Sequence, residues 1–191
     1  MNCTTKTFDI CIIGAGPAGL SVLSAIHNPD GHLTESRMKR NQWNSTRLGS
    51  QRRDRQRQLS VCVIDPCGSW LNQWKGRFES LGIQFLRSPA WATPDYYSSA
   101  AITEYAWKHG REDELHDVEL PRKASRGALI RASSEGLFKV PGTALFNDFC
   151  DDLATSLPHT FFKGCVQSIE KGRSSHTHSN DGKVYDISVT N

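Results

Sequence analysis

The residues Gly14-Ala15-Gly16-Pro17-Ala18-Gly19 have the types and spacing that hold a pyrophosphate. In such a turn the first glycine allows a tight exit from a strand. The second lets the backbone approach the phosphates with no Cβ in the way, and the third lets the following helix pack closely on the strand. Pro17 suits a first helical position, where its missing N–H is not needed. The free N–H groups and the dipole of the helix start then face the phosphates. The second residue with chemical meaning is Asp65, which closes the apolar run Val61-Cys62-Val63-Ile64. An acid at the tip of a second strand accepts hydrogen bonds from the adenosine ribose hydroxyls. Together these residues predict a dinucleotide site; the plain alternative is a glycine-rich turn used only for packing. No hydrolytic triad is visible. His176 and His178, in a polar turn with Asn180, Asp181 and Gly182, make a poor metal site, and no metal is expected. His27, His109, His116 and His159 are isolated and read as structural or exposed.

The elements that position these groups follow from the apolar pattern. Asp9-Ile10-Cys11-Ile12-Ile13 reads as a strand covered on both faces by helices. Leu20, Leu23, Ala25 and Ile26 give the helix after the turn an apolar side. The acid normally follows the turn by about 20 positions; here an insertion at 28–59 displaces it. Lengthening a surface loop eightfold costs only about 2 kcal/mol of closure entropy. Residues 36–58 hold eight cations, Arg37, Lys39, Arg40, Arg47, Arg52, Arg53, Arg55 and Arg57, against the single acid Asp54, so +7 in a chain of net +3. The basic balance thus belongs to this insertion. Lacking a helical or strand period, it reads as disordered. A solvated loop is the plain reading, with an acidic partner, nucleic acid or a membrane surface as alternatives; beyond this loop there is no strong nucleic-acid signal.

At 191 residues the chain is expected to form one domain, 1–191, with a real core. No apolar run approaches membrane-spanning length, and strand one begins too early for a signal peptide, so a cytoplasmic protein is expected. Its six cysteines, Cys3, Cys11, Cys62, Cys67, Cys150 and Cys165, then read as reduced. Cys11 and Cys62, inside apolar strands, read as small core residues. Cys62 and Cys67 have the C-x4-C spacing of some redox flavoproteins. An extended 62–65 alone spans about 10 Å, against the ~7 Å limit of a disulfide, so a dithiol role for that pair is rejected. Further along, Tyr97, Ala101 and Tyr105 predict a helix over 96–108, ended by Gly110. Leu145, Phe149 and Leu153 predict another over 143–157, and strands are predicted at 161–166 and 183–189.

With these elements in place, the chain resembles a family. GAGPAG after strand one, an acid at the tip of strand two and Gly68-Ser69-Trp70 resemble flavin-containing and N-hydroxylating monooxygenases. WKGRFESLGIQFLRSP, Pro94-Asp95, a helix ending in Gly110-Arg111 and VPGTALFNDFC are similar to FAD-dependent pyridine-nucleotide oxidoreductases related to lysine and ornithine N-monooxygenases. The resemblance runs from Phe8 to about Val189, the insertion excluded. It implies an α/β, Rossmann-type FAD-binding fold, a parallel sheet with flanking helices. It also implies a cytoplasmic flavoprotein oxidoreductase, monooxygenase-like, acting on a small-molecule substrate with NADPH as reductant. In such a protein Gly14, Ala15, Gly16, Pro17, Ala18 and Gly19 would cradle the FAD pyrophosphate. Asp65, where the family more often has Glu, would hold the ribose. Trp70 and Trp74 would lie on the flavin side of the groove, with Leu86 and Arg87 lining it, and Val166 of the G-x-V strand would meet the adenine through its backbone. Trp70 and Trp74 also read as ordinary core aromatics and Arg87 as a surface cation.

Two departures qualify that picture. The chain shows no second glycine turn for NADPH and no late Ala-Thr-Gly segment closing the FAD site; it ends at Val189-Thr190-Asn191. The expectation is an incomplete FAD-binding domain lacking the second (NADPH) domain. It is either a truncated product or a remnant that needs a partner chain to supply the missing half. No NADPH oxidation by this chain alone is expected. A non-catalytic FAD-binding or regulatory module stays open beside the enzyme.

Overall fold

The computed structural model of the chain describes residues 5–27, 59–118, 139–172 and 185–190. The basic insertion, the expected histidine turn and Cys3 lie outside them. The first strand, β1 (Ile10–Ile13), leads through the glycine turn into α1 (Pro17–His27). β2 (Val61–Asp65) follows, then α2 (Asn72–Ser80), α3 (Ala101–Lys108), a 3-10 turn (Glu112–Glu114), and the short strands β3 (Leu115–Asp117) and β4 (Lys139–Pro141). α4 (Thr143–Ser156), β5 (Thr160–Lys163), β6 (Cys165–Lys171) and β7 (Tyr185–Thr190) complete the order. β1, β2 and β5 form a three-stranded sheet in the order β1-β2-β5, and both pairings are parallel. β3–β4 and β6–β7 are antiparallel pairs. The molecule is thus a mixed α/β structure with a parallel sheet and flanking helices.

The main core cluster lies on one face of that sheet. Ile12, Val61 and Val63 join Leu20 and Leu23 of α1, Leu71, Ile102 and Ala106 of α3, and Leu145, Phe146, Phe149 and Cys150 of α4 in a single cluster. Cys62 and Ile64 alternate to the opposite face; they are buried but stand outside that cluster. Ile13, on the same opposite face, is 51% exposed. Phe8 meets Phe162 there edge-to-face at 5.6 Å. Among the described residues the helices that pack on the sheet belong to this one cluster, where helices on both faces of β1 were expected. An apolar strand records burial but not what buries it.

Two boundaries and one element differ from the sequence pattern. The helix expected over 96–108 begins at Ala101. Before it, side chains capture the backbone N–H groups: Ser24 Oγ accepts from Tyr96, Asp95 Oδ1 from Tyr97 and Ser98 Oγ from Ala100. The bonds of Asp95 and Ser98 are local and of the kind that competes with a helical turn. The strand expected over 161–166 breaks at Gly164, whose N–H donates to Asp65 O at 3.1 Å. α2 has no counterpart in the sequence reading, and none of its residues is fully buried. No helix among the described residues is long and apolar enough to cross a membrane.

Candidate functional site

The glycine turn takes its shape from three different constraints. Gly14 has φ +101°, a conformation L side chains rarely adopt, and its N–H extends the β1–β2 ladder to Ile64 O at 2.9 Å. At Gly19 a Cβ would stand 2.2 Å from Gly14 O, so α1 packs directly on the turn. Gly16 differs from both. Among the described residues nothing lies within 4 Å of the position its Cβ would take, and its φ is not in the left-handed range. The chain's own packing therefore does not call for glycine there, whereas close approach by a ligand does. Gly16 O accepts the first helical bond, from Leu20 N at 3.0 Å, which makes Gly16 the N-cap of α1. Pro17 is the first residue of the helix.

Asp65 ties this turn to two other segments. Its Oδ2 accepts from Ala15 N at 3.0 Å and its Oδ1 from Cys67 N at 2.8 Å. Its carbonyl accepts from Gly68 N at 3.2 Å and Gly164 N at 3.1 Å. An ionised carboxylate has about four lone-pair directions. The two backbone bonds leave capacity for a diol such as a ribose. Leu71 adds a further tie, its N–H donating to Ala15 O at 2.8 Å. To do so it adopts φ 55°, the only non-glycine positive φ among the described residues. Strain of this kind costs on the order of 1–3 kcal/mol and persists where the surroundings fix it.

Beyond Asp65 is a cavity of about 410 Å³ lined by Pro66, Lys163, Gly164, Cys165 and Thr190. It sits where β2 and β5 end and β6 begins. Asp65 thus bonds the glycine turn through its carboxylate and Gly164 of the cavity wall through its carbonyl. Val166 is half-buried on β6 beside this cavity's Cys165, paired with Val189 of β7. Pro66, Gly164, Cys165 and Thr190 were not singled out as site residues from the sequence. The signals were Pro66 directly after the acid and the glycine interrupting FFKGCV.

The remaining expected residues are engaged elsewhere. Trp70 donates from Nε1 to His159 Nε2 at 3.1 Å and meets Phe161 edge-to-face at 5.9 Å. His159 uses its other ring nitrogen toward Leu157 O at 2.8 Å, so the imidazole is the Nδ1–H form. Trp74 stacks on Phe78 with centroids 4.0 Å apart and packs on Phe146. Arg87 is exposed, while its neighbour Leu86 is buried with its N–H on Pro141 O. Arg111 donates to both Glu114 and Asp148. A larger hollow, about 780 Å³, lies between α2 and α4 and is lined by Trp70, Lys75, Asp151, His159 and Phe161 among others. Of its charged groups, Lys75, Glu79 and Asp151, the lysine and Asp151 already pair with each other. The smaller cavity at Asp65 is the better candidate on chemistry. No group of three or more His, Cys, Asp or Glu among the described residues could hold a metal ion. No family model and no curated protein matches this chain.

Proposed function

We propose that the chain is an FAD-binding protein with a Rossmann-type nucleotide site, a flavoprotein oxidoreductase of monooxygenase-like character. The observation that carries the binding half is Gly16, a glycine with open space at its Cβ position and no conformational need to be glycine. It stands at the N-terminus of α1, where unpaired N–H groups and the helix dipole favour phosphate. In this reading Gly14 to Gly19 receive the pyrophosphate. The free lone pairs of Asp65 take the ribose hydroxyls, and the cavity of Pro66, Gly164, Cys165 and Thr190 receives the adenine. The strand order β1-β2-β5, with parallel pairing throughout, is compatible with one mononucleotide-binding half of such a fold. The residues present fit the nucleotide end of the cofactor; Trp70, Trp74 and Arg87, expected on the flavin side, do not line the cavity at Asp65.

The oxidoreductase half rests on the family resemblance. When bound, FAD supplies the redox chemistry, with NADPH as reductant and a small molecule as substrate. This chain's own contribution is to hold and orient the nucleotide. Isothermal titration with FAD and with NADPH tests the binding half, expecting FAD to bind more tightly and Gly16→Ala to weaken it. NADPH absorbance decay in the presence of FAD separates an enzyme from a binding module.

A further inference from the structure

The strands that carry the glycine turn and Asp65 also carry a pair of thiols. Cys11 on β1 and Cys62 on β2 are register partners in the parallel ladder. Neighbouring strands lie about 4.8 Å apart and in-register side chains share a face. The two Cα atoms therefore fall inside the ~4.4–6.8 Å range of a disulfide. As register partners on one face of the ladder, the two side chains are nearest neighbours across the strands. Cys62 is buried and Cys11 half-buried, on the sheet face away from the main core cluster. Cys150 is enclosed in that cluster, and Cys67 and Cys165 are exposed. In space, the partner of Cys62 is thus Cys11 rather than the sequence-near Cys67.

We propose that Cys11 and Cys62 are a redox modification site that closes to a cross-strand disulfide. The oxidant is a low-molecular-weight disulfide of the glutathione type. Cys11, the more accessible thiol, loses its proton and attacks one oxidant sulfur, releasing one small thiolate and leaving a mixed disulfide on Cys11. Cys62 then loses its proton, attacks Cys11 Sγ and expels the second small thiolate. The two protein thiols give up two electrons and two protons, and the oxidant leaves as two thiols. Burial, and then the neighbouring Cys11 thiol, push the Cys62 thiol up to about 12. The reacting species is the thiolate, so closure is slow at neutral pH and quickens with alkali. In a parallel pair the Cβ atoms stand about as far apart as the strands, beyond the ~3.5–4.5 Å that a disulfide prefers. Such a link opens readily to thiols. The site stands independently of whether the glycine turn binds a nucleotide.

The test is to treat the native protein with oxidised glutathione, quench with acid and map the disulfides by mass spectrometry of proteolytic fragments. The expected product is a Cys11–Cys62 link with loss of two hydrogens, opened by dithiothreitol and absent from Cys11→Ser. Its rate of closure from the mixed disulfide rises about tenfold per pH unit between about pH 7 and 9, following the thiolate fraction. Three results overturn the proposal. One is a stable glutathione adduct on Cys11 with Cys62 reduced. Another is both thiols remaining reduced while Cys67 and Cys165 react. The third is a link that forms only in urea.

Discussion

Two single-methyl substitutions in the glycine turn should differ sharply in their effect on stability. In Gly19→Ala the added Cβ would stand 2.2 Å from Gly14 O, far inside any real contact. That oxygen belongs to backbone that cannot give way easily, because Gly14 is held at φ +101° and its N–H is bonded to Ile64 O. Overpacking of this kind costs about 1–3 kcal/mol. The helix propensity gained by removing a glycine is at most about 1 kcal/mol, and less in a first turn. A net loss of about 2 kcal/mol is expected, or ~4–8 °C in Tm for a domain of this size. In Gly16→Ala the new methyl meets nothing within 4 Å among the described residues. The entropy removed from the unfolded chain stabilises by about 0.4–1 kcal/mol. The poorer N-cap offsets a similar amount. Gly16→Ala should therefore melt within about 0.5 kcal/mol of wild type. Urea unfolding followed by circular dichroism, with m-values compared to confirm an unchanged transition, measures both variants. A Gly19→Ala protein as stable as wild type would refute the described turn. A Gly16→Ala protein destabilised by more than about 1 kcal/mol would show that the fold itself needs this glycine, removing the main argument for a ligand.

Three further outcomes are expected. Hydrogen bonds from Arg111 hold the Glu114 carboxyl below its ordinary 4.5. Glu114 therefore stabilises the fold above that pH, and the gain is lost as pH falls through the lowered value. Arg111→Gln should lose on the order of 1 kcal/mol at neutral pH, with the difference shrinking in acid melts. Burial, followed by its bond to Asp152, raises the Tyr105 hydroxyl from 10.0 to about 12. The unfolded chain ionises first, so wild type loses stability as pH rises through this window, whereas Tyr105→Phe should show no such loss in alkaline melts. Deleting 36–57 should leave cooperative melting intact, since the segment offers few large apolar side chains to a core; loss of the transition would show it to be structural.

What the sequence disclosed was set by backbone constraints that a residue type advertises. Gly14, Pro17 and Gly19 occupy the places their chemistry predicts, because each answers a local steric demand. Asp65 was legible as the acid closing β2, but its bonds to Ala15 and Cys67 and its carbonyl's bond to Gly164 were not. Those depend on three segments far apart in sequence. The same limit hid the break between β5 and β6, caused by Gly164 turning its N–H to Asp65. It also hid which face carries the main core cluster, since ICII and VCVID read as buried without naming a face. The start of α3 was misjudged because Ser98 and Asp95 bond backbone N–H groups that an apolar period counts as helical. The partnership of Cys11 with Cys62 required the strand register, which follows from tertiary pairing and not from either strand alone.

The most direct test of the nucleotide site is FAD titration of wild type and Gly16→Ala, read by calorimetry and flavin fluorescence, with melting curves on the same samples. Saturable binding by wild type, weakened about tenfold or more in Gly16→Ala, or ~1.4 kcal/mol, with unchanged melting, is the predicted result. Equal binding by the two proteins, or no binding of FAD by well-folded wild type, would contradict it.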